Sequence, residues 1–188
     1  LEGLNDTVMT EDIRGEFAKG YLDQMITDKQ GNIIGVPGYS GYLAFWVNQK
    51  IMDEAGVDKL DTKEDFEKYM LAASKDGRYG YGGSWEKTYV FNEIAQFVNM
   101  FGGDYFDWTR PENKEAIQFL YDMVQNKQTP IDQIADKYEQ MNPKANDGKY
   151  GCWFMWGLGT DYEKAGMLGQ DKIHMAMVPS MTDDGKRA

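Results

Sequence analysis

The chain predicts an α/β fold, with a mixed and mostly parallel sheet flanked by helices. Three observations carry this: short apolar runs of strand length, amphipathic stretches of helix length between them, and glycine or proline at the junctions. With 188 residues, 41% of them hydrophobic, one good core can be buried, and a single α/β lobe over 1–188 is expected.

Thr10 caps a first helix with Glu11 and Asp12 in its opening turn, and Ile13, Phe17, Tyr21 and Met25 recur at helical spacing, interrupted by Gly15 and Gly20. Asp28-Lys29-Gln30-Gly31 turns the chain into a short strand, Asn32 to Val36, which Pro37 ends because it lacks the amide hydrogen a ladder needs. Tyr42 to Val47 is apolar on both faces, the pattern of a covered strand, and reads as the centre of the sheet. Asn48 is a natural N-cap for a helix that turns Ile51, Met52 and Ala55 inward, with Gly56 as its left-handed end. Thr62 opens another helix with Phe66, Met70 and Ala73 on one face, and Asp76-Gly77 turns into a strand around Arg78 to Tyr81.

Phe91, Ile94, Ala95, Val98 and Phe101 mark an amphipathic helix stopped by Gly102-Gly103. Pro111 begins the clearest helix, with Ala116, Ile117, Leu120, Met123 and Val124 inward. A weaker helical stretch runs from Thr129-Pro130 to Met141, and Asn142 to Gly148 reads as a polar loop. Strands are expected at Tyr150 to Trp156 and Ile173 to Val178, separated by a short helix with a Thr160-x-x-Glu163 capping box.

Several functions are disfavoured by composition. Twenty Lys and Arg against 31 Asp and Glu leave a net charge of −11, which repels nucleic acid. No apolar run approaches the roughly 20 residues of a membrane span, so no direct insertion by this chain is expected. The single cysteine, Cys152, cannot close an intrachain disulfide, and the single histidine, His174, lies inside a strand pattern without metal-ligand or nucleophile partners. Gly157-Leu158-Gly159-Thr160-Asp161-Tyr162 follows a strand and opens a helix, yet Tyr162 stands where a dinucleotide fingerprint needs Gly or Ala. No catalytic residue, metal or cofactor is called for. Glu86 and Glu93 could form a glycosidase-like pair, but with 31 acidic residues some pair is always at hand.

The informative residues are aromatic. Five Trp and twelve Tyr are many for this length, and several fall just after strands, where open α/β sheets bind ligands. Tyr39, Ser40 and Gly41 follow the first strand, and Trp85, Glu86, Tyr89 and Asn92 follow the third. Flat aromatic faces beside polar groups suit sugars, whose C–H patches pack on rings while their hydroxyls form hydrogen bonds. Trp153 and Trp156 are three positions apart and face opposite sides of a strand, so at most one need meet a ligand; Trp156, followed by Gly157, is the candidate. Trp46, within a strand, is assigned to the core, and Trp108 to a staple over a helix end.

One stretch, Gly31-Asn32-Ile33-Ile34-Gly35-Val36-Pro37, is followed eleven residues after its proline by Asn48-Gln49-Lys50-Ile51-Met52-Asp53-Glu54-Ala55-Gly56. Together with Asp61-Thr62-Lys63-Glu64-Asp65-Phe66, Gly77-Arg78-Tyr79-Gly80, Gly102-Gly103 and Gly148 to Gly157, it resembles, in order and spacing, the carbohydrate-binding solute receptors of ABC importers related to maltose-binding protein. Val47 and Gln49 stand where that pattern has Tyr and Lys.

The resemblance implies a periplasmic-binding-protein-like (class II) lobe, one of two that close on a ligand around a hinge. It implies a mono- or oligosaccharide ligand, ABC permease subunits as partners, a monomeric state and an extracytoplasmic location, periplasmic or lipid-anchored. Tyr39, Ser40 and Gly41 would lie near hinge and cleft, Trp85 to Asn92 would face the ligand, and Trp156 would stack. The chain opens at Leu1-Glu2-Gly3-Leu4 without a leader pattern and is read as the second lobe of a longer protein. The alternatives are a carbohydrate-active enzyme domain and a receptor for a polyamine or peptide.

Overall fold

The computed structural model describes residues 3–38, 41–157 and 159–183, which separate into two compact units, Leu1–Gly41 and Tyr42–Ala188. In the first unit the expected opening helix is two short ones, α1 (Glu11–Gly15) and α2 (Tyr21–Met25). Gly20 divides them because it takes the left-handed conformation, φ +79°, which no helix interior can hold. Asn32 to Val36 forms no strand. Ile33 makes a single bridge to Thr27, and joins Met9 and Leu22 in a small core.

The second unit holds a four-stranded sheet ordered β2-β3-β1-β4, with β1 at Leu43–Asn48, β2 at Tyr79–Gly82, β3 at Tyr150–Trp156 and β4 at Ile173–Ala176. As the apolar run at 42–47 predicts, β1 is interior. The sheet is mixed, but its direction differs from the expectation. β2 pairs parallel with β3, whereas β1 is antiparallel to both β3 and β4. Three strands therefore share one direction, and β1 runs against them in the middle. A strand apolar on both faces looks the same whichever way it runs, so the pattern cannot reveal this.

Helices α3 (Gln49–Ala55), α4 (Lys63–Ala73), α5 (Val90–Met100) and α6 (Pro111–Gln125) cover one face, with Phe45, Val47, Tyr81, Cys152 and Phe154 beneath them. The other face carries Ala44, Trp46, Trp153, Met155 and Ile173 under α7 (Tyr138–Asn146) and α8 (Thr160–Lys164). Local chemistry sets the helix starts: Asn48 Oδ1 accepts the Ile51 N–H at 3.3 Å, and Thr62 with Asp65 forms a reciprocal capping box. The Thr160 capping box is not formed. Gly159, at φ +60°, holds the cap position and Thr160 is the first helical residue. The expected loop after Met141 is also helix, since α7 runs through Pro143 to Asn146.

Three of the five tryptophans fall as read. Trp46 and Trp153 are buried, and Trp156 is exposed; Trp108 packs edge-on against Tyr105, ring centroids 5.6 Å apart, and stays half exposed. Phe154 lies under Tyr81, Phe97 and Phe45, with ring centroids 6.5, 6.0 and 5.3 Å away. Its replacement, Phe154→Ala, leaves a cavity no neighbour can fill and should cost about 3–5 kcal/mol in urea unfolding; a loss below about 1 kcal/mol would show that this face repacks.

Candidate functional site

Burial stops at the carboxyl end of β3. Tyr150 to Met155 are all buried, while Trp156 is 44% exposed. Its partner across the ladder is Leu43, and beyond it Gly157 donates its N–H to the Tyr42 carbonyl at 3.0 Å. Any side chain at Gly157 would strike the Tyr42 ring, so glycine lets that ring lie against the backbone.

Trp156 borders two hollows, which share Tyr138 and Met155 with it. One, of about 280 Å³, is completed by Asn142, Gly159, Thr160, Asp161 and Tyr162. The other is completed by Leu43, Ser84, Tyr89, Asn92, Glu93 and Phe154. Tyr138 stands edge-on to Tyr89, centroids 5.5 Å apart and planes at 82°, so three aromatic side chains frame one groove.

The polar groups in the groove are held from behind. Trp153 Nε1 donates to the Tyr162 hydroxyl at 2.7 Å, Tyr162 donates to Asn142 Oδ1 at 3.0 Å, and Asn142 Nδ2 donates to Asp161 Oδ2 at 2.6 Å. This relay leads from the buried core to an exposed carboxylate. Gly159 is required beneath it twice over: its φ is +60°, and an added Cβ would lie 2.8 Å from the Trp46 ring.

Glu93 is the second carboxyl group in the lining, and it is buried. It accepts from the Tyr81 hydroxyl, from the Ser84 N–H at 2.6 Å and from Trp85 Nε1 at 2.9 Å, with no cation beside it. Burial raises its pKa from the ordinary carboxylate value to about 7, against the opposing pull of those three donors. The loop after β2 is thereby anchored to α5. Gly83 N–H to Gln133 Oε1 at 2.7 Å and Trp85 N–H to the Gln133 carbonyl at 3.1 Å tie the same loop to the 3₁₀ turn Ile131–Ala135.

The structure brings Tyr89, Asn92 and Trp156 together around the groove. Trp85 is half-buried, packs against the core and turns its indole N–H onto Glu93. Glu86 accepts the Thr88 N–H at 2.9 Å and the Thr88 hydroxyl, and these bonds hold its carboxyl below the usual range. Gly41 is exposed just ahead of Tyr42, and Tyr39 and Ser40 lie outside the described residues. Sequence reasoning passed over Tyr138, Asn142 and Asp161. Tyr138 and Asn142 are four apart on one helix, a spacing that puts them on one face, but that helix was read as ending before Asn142. Among the described residues no three His, Cys, Asp or Glu side chains converge to hold a metal ion.

The profile of the bacterial extracellular solute-binding protein family matches residues 2–186, and the chain belongs to that family. An arabinooligosaccharide-binding protein of Halalkalibacterium halodurans is 32% identical over 176 residues, covering 85% of this chain and 38% of that protein. Maltose-bound MalE3 of T. maritima superposes with a TM-score of 0.78 at 22% identity, over 100% of this chain and 50% of its own. A sugar transporter of Arthrobacter chlorophenolicus with bound laminaribiose gives 0.73 at 18% identity, over 93% of this chain and 46% of its own. The chain thus spans half or less of the length of these relatives.

The raised Glu93 pKa has a measurable consequence. Between its ordinary value of 4.5 and about 7 the native carboxyl keeps a proton that the unfolded one has lost, so stability falls as pH rises through this window and levels off above it. The full span is on the order of 3 kcal/mol. Urea unfolding from pH 5 to 8 should show this decline, and Glu93→Gln should remove it; parallel curves for the two proteins would refute the assignment.

Proposed function

We propose that this chain forms one wall of the ligand cleft of an extracytoplasmic solute receptor serving an ABC importer, and that the ligand is a carbohydrate. The observation that carries this is Trp156, 44% exposed at the end of an otherwise buried strand and bordering a hollow with Tyr138, Asn142 and Asp161. A sugar ring would stack on the indole while its hydroxyls reach Asn142, Asp161 and Asn92. The relatives are long enough to hold a second wall outside the matched stretch, which is how one lobe of a hinge-closing pair would work.

The lining also bears on the alternatives. It holds two carboxyl groups and no cation, so an anionic solute is disfavoured. Glu93 already takes three donors and its charge is weakened by burial, and Asp161 accepts from Asn142, which favours a neutral polyol over a polyamine. For the enzyme reading, Glu86 is committed to Thr88 and Glu93 to the loop, so neither carboxyl is free to work on a glycosidic bond.

Saturation-transfer NMR against arabino-oligosaccharides, maltose, laminaribiose, polyamines and short peptides is the direct test. A sugar signal that weakens about tenfold or more in Trp156→Ala is expected, because the indole face is the largest apolar contact offered. Sugar binding unchanged in that variant would displace the site, and a polyamine or peptide signal alone would overturn the ligand class.

A further inference from the structure

Another hollow, of about 390 Å³, lies at the opposite end of the sheet from Trp156. Because β2, β3 and β4 share one direction, their amino ends meet at one edge, and each is directly preceded by a cation: Arg78, Lys149 and Lys172. β1 runs the other way, so its carboxyl end reaches the same edge and delivers Lys50 in α3. Four cations from four segments thus line one cavity, with only Asp147 and Asp171 as lining acids, in a chain of net charge −11. Converging like charges cost free energy unless something offsets them.

Arg78 spends Nη1 on Glu54 at 2.6 Å, and Lys172 Nζ donates to the Gly166 carbonyl at 2.9 Å, while Lys50 and Lys149 are exposed and make no ion pair among the described residues. An anionic occupant offsets the surplus of cations that remains once Glu54, Asp147 and Asp171 are counted against them.

We propose that this cavity is an anion site, separate from the groove at Trp156, that takes a phosphate monoester, with Arg78, Lys50 and Lys149 on the phosphate. A soluble polyol phosphate and a lipid phosphate headgroup offer the same chemistry. Titration with glycerol 1-phosphate, followed by amide NMR, should move Lys50, Gly148, Lys149 and Met167 as a group, and the Lys50→Ala/Lys149→Ala double variant should bind about tenfold or more weakly. Near-UV circular dichroism of the variant checks that it is folded. Sedimentation with phosphatidic acid vesicles, against phosphatidylcholine controls, tests the headgroup source with the same variant. Binding of either source that depends on the two lysines supports the site. No response to either, shifts scattered over lysines elsewhere, or equal binding by a folded double variant would overturn it.

Discussion

Everything in the larger unit depends on covering the two central strands on both faces. From Ala44 to Asn48 and from Tyr150 to Met155 every residue is buried, and Ala44 to Val47 and Cys152 to Met155 alternate their side chains between two separate cores. Such a pair contributes apolar burial in both directions, and it leaves its ends as the places where polar chemistry can occur. Trp156 is exposed because it is the first residue of β3 beyond the layers that cover it. Its indole is held by a rigid strand, so the cost of ordering it is met in folding, before any ligand arrives.

The groove beside Trp156 is shaped by a single buried carboxyl group. Glu93 gathers a tyrosine hydroxyl, a backbone amide and an indole N–H, and so fixes the loop that carries Tyr89 toward Tyr138. A carboxyl buried without a counter-cation is costly, and its pKa near neutrality records that cost. It is tolerated because three donors converge on it. Trp85, the most conspicuous aromatic of that loop, acts here as one of those donors and as packing.

Strand direction separates the two ends of the sheet chemically. The end at Trp156 collects aromatic rings, amides and weakened or occupied carboxylates, and the other end collects cations, three of which stand one residue before a strand. The proposed functions are correspondingly different in charge: a neutral polyol at one end and a phosphate ester at the other.

Most elements were legible from local chemistry. The apolar run at 42–47, the Asn48 and Thr62 caps, Gly56 and Pro111 each act within a few residues of chain, so sequence alone placed them, and it distinguished exposed Trp156 from buried Trp46 and Trp153. It misplaced the strand at 32–36, where Ile33 makes only an isolated bridge to Thr27, and the cap at Thr160, whose place left-handed Gly159 takes. What depended on distant residues was hidden: the reversed direction of β1, the docking of Trp85 and Tyr81 onto Glu93, the meeting of Tyr138 with Tyr89, and the gathering of Arg78, Lys149 and Lys172 at one edge. Hydrophobic period and capping are properties of neighbours along the chain, whereas partners and direction are chosen only when strands far apart in sequence close on one core.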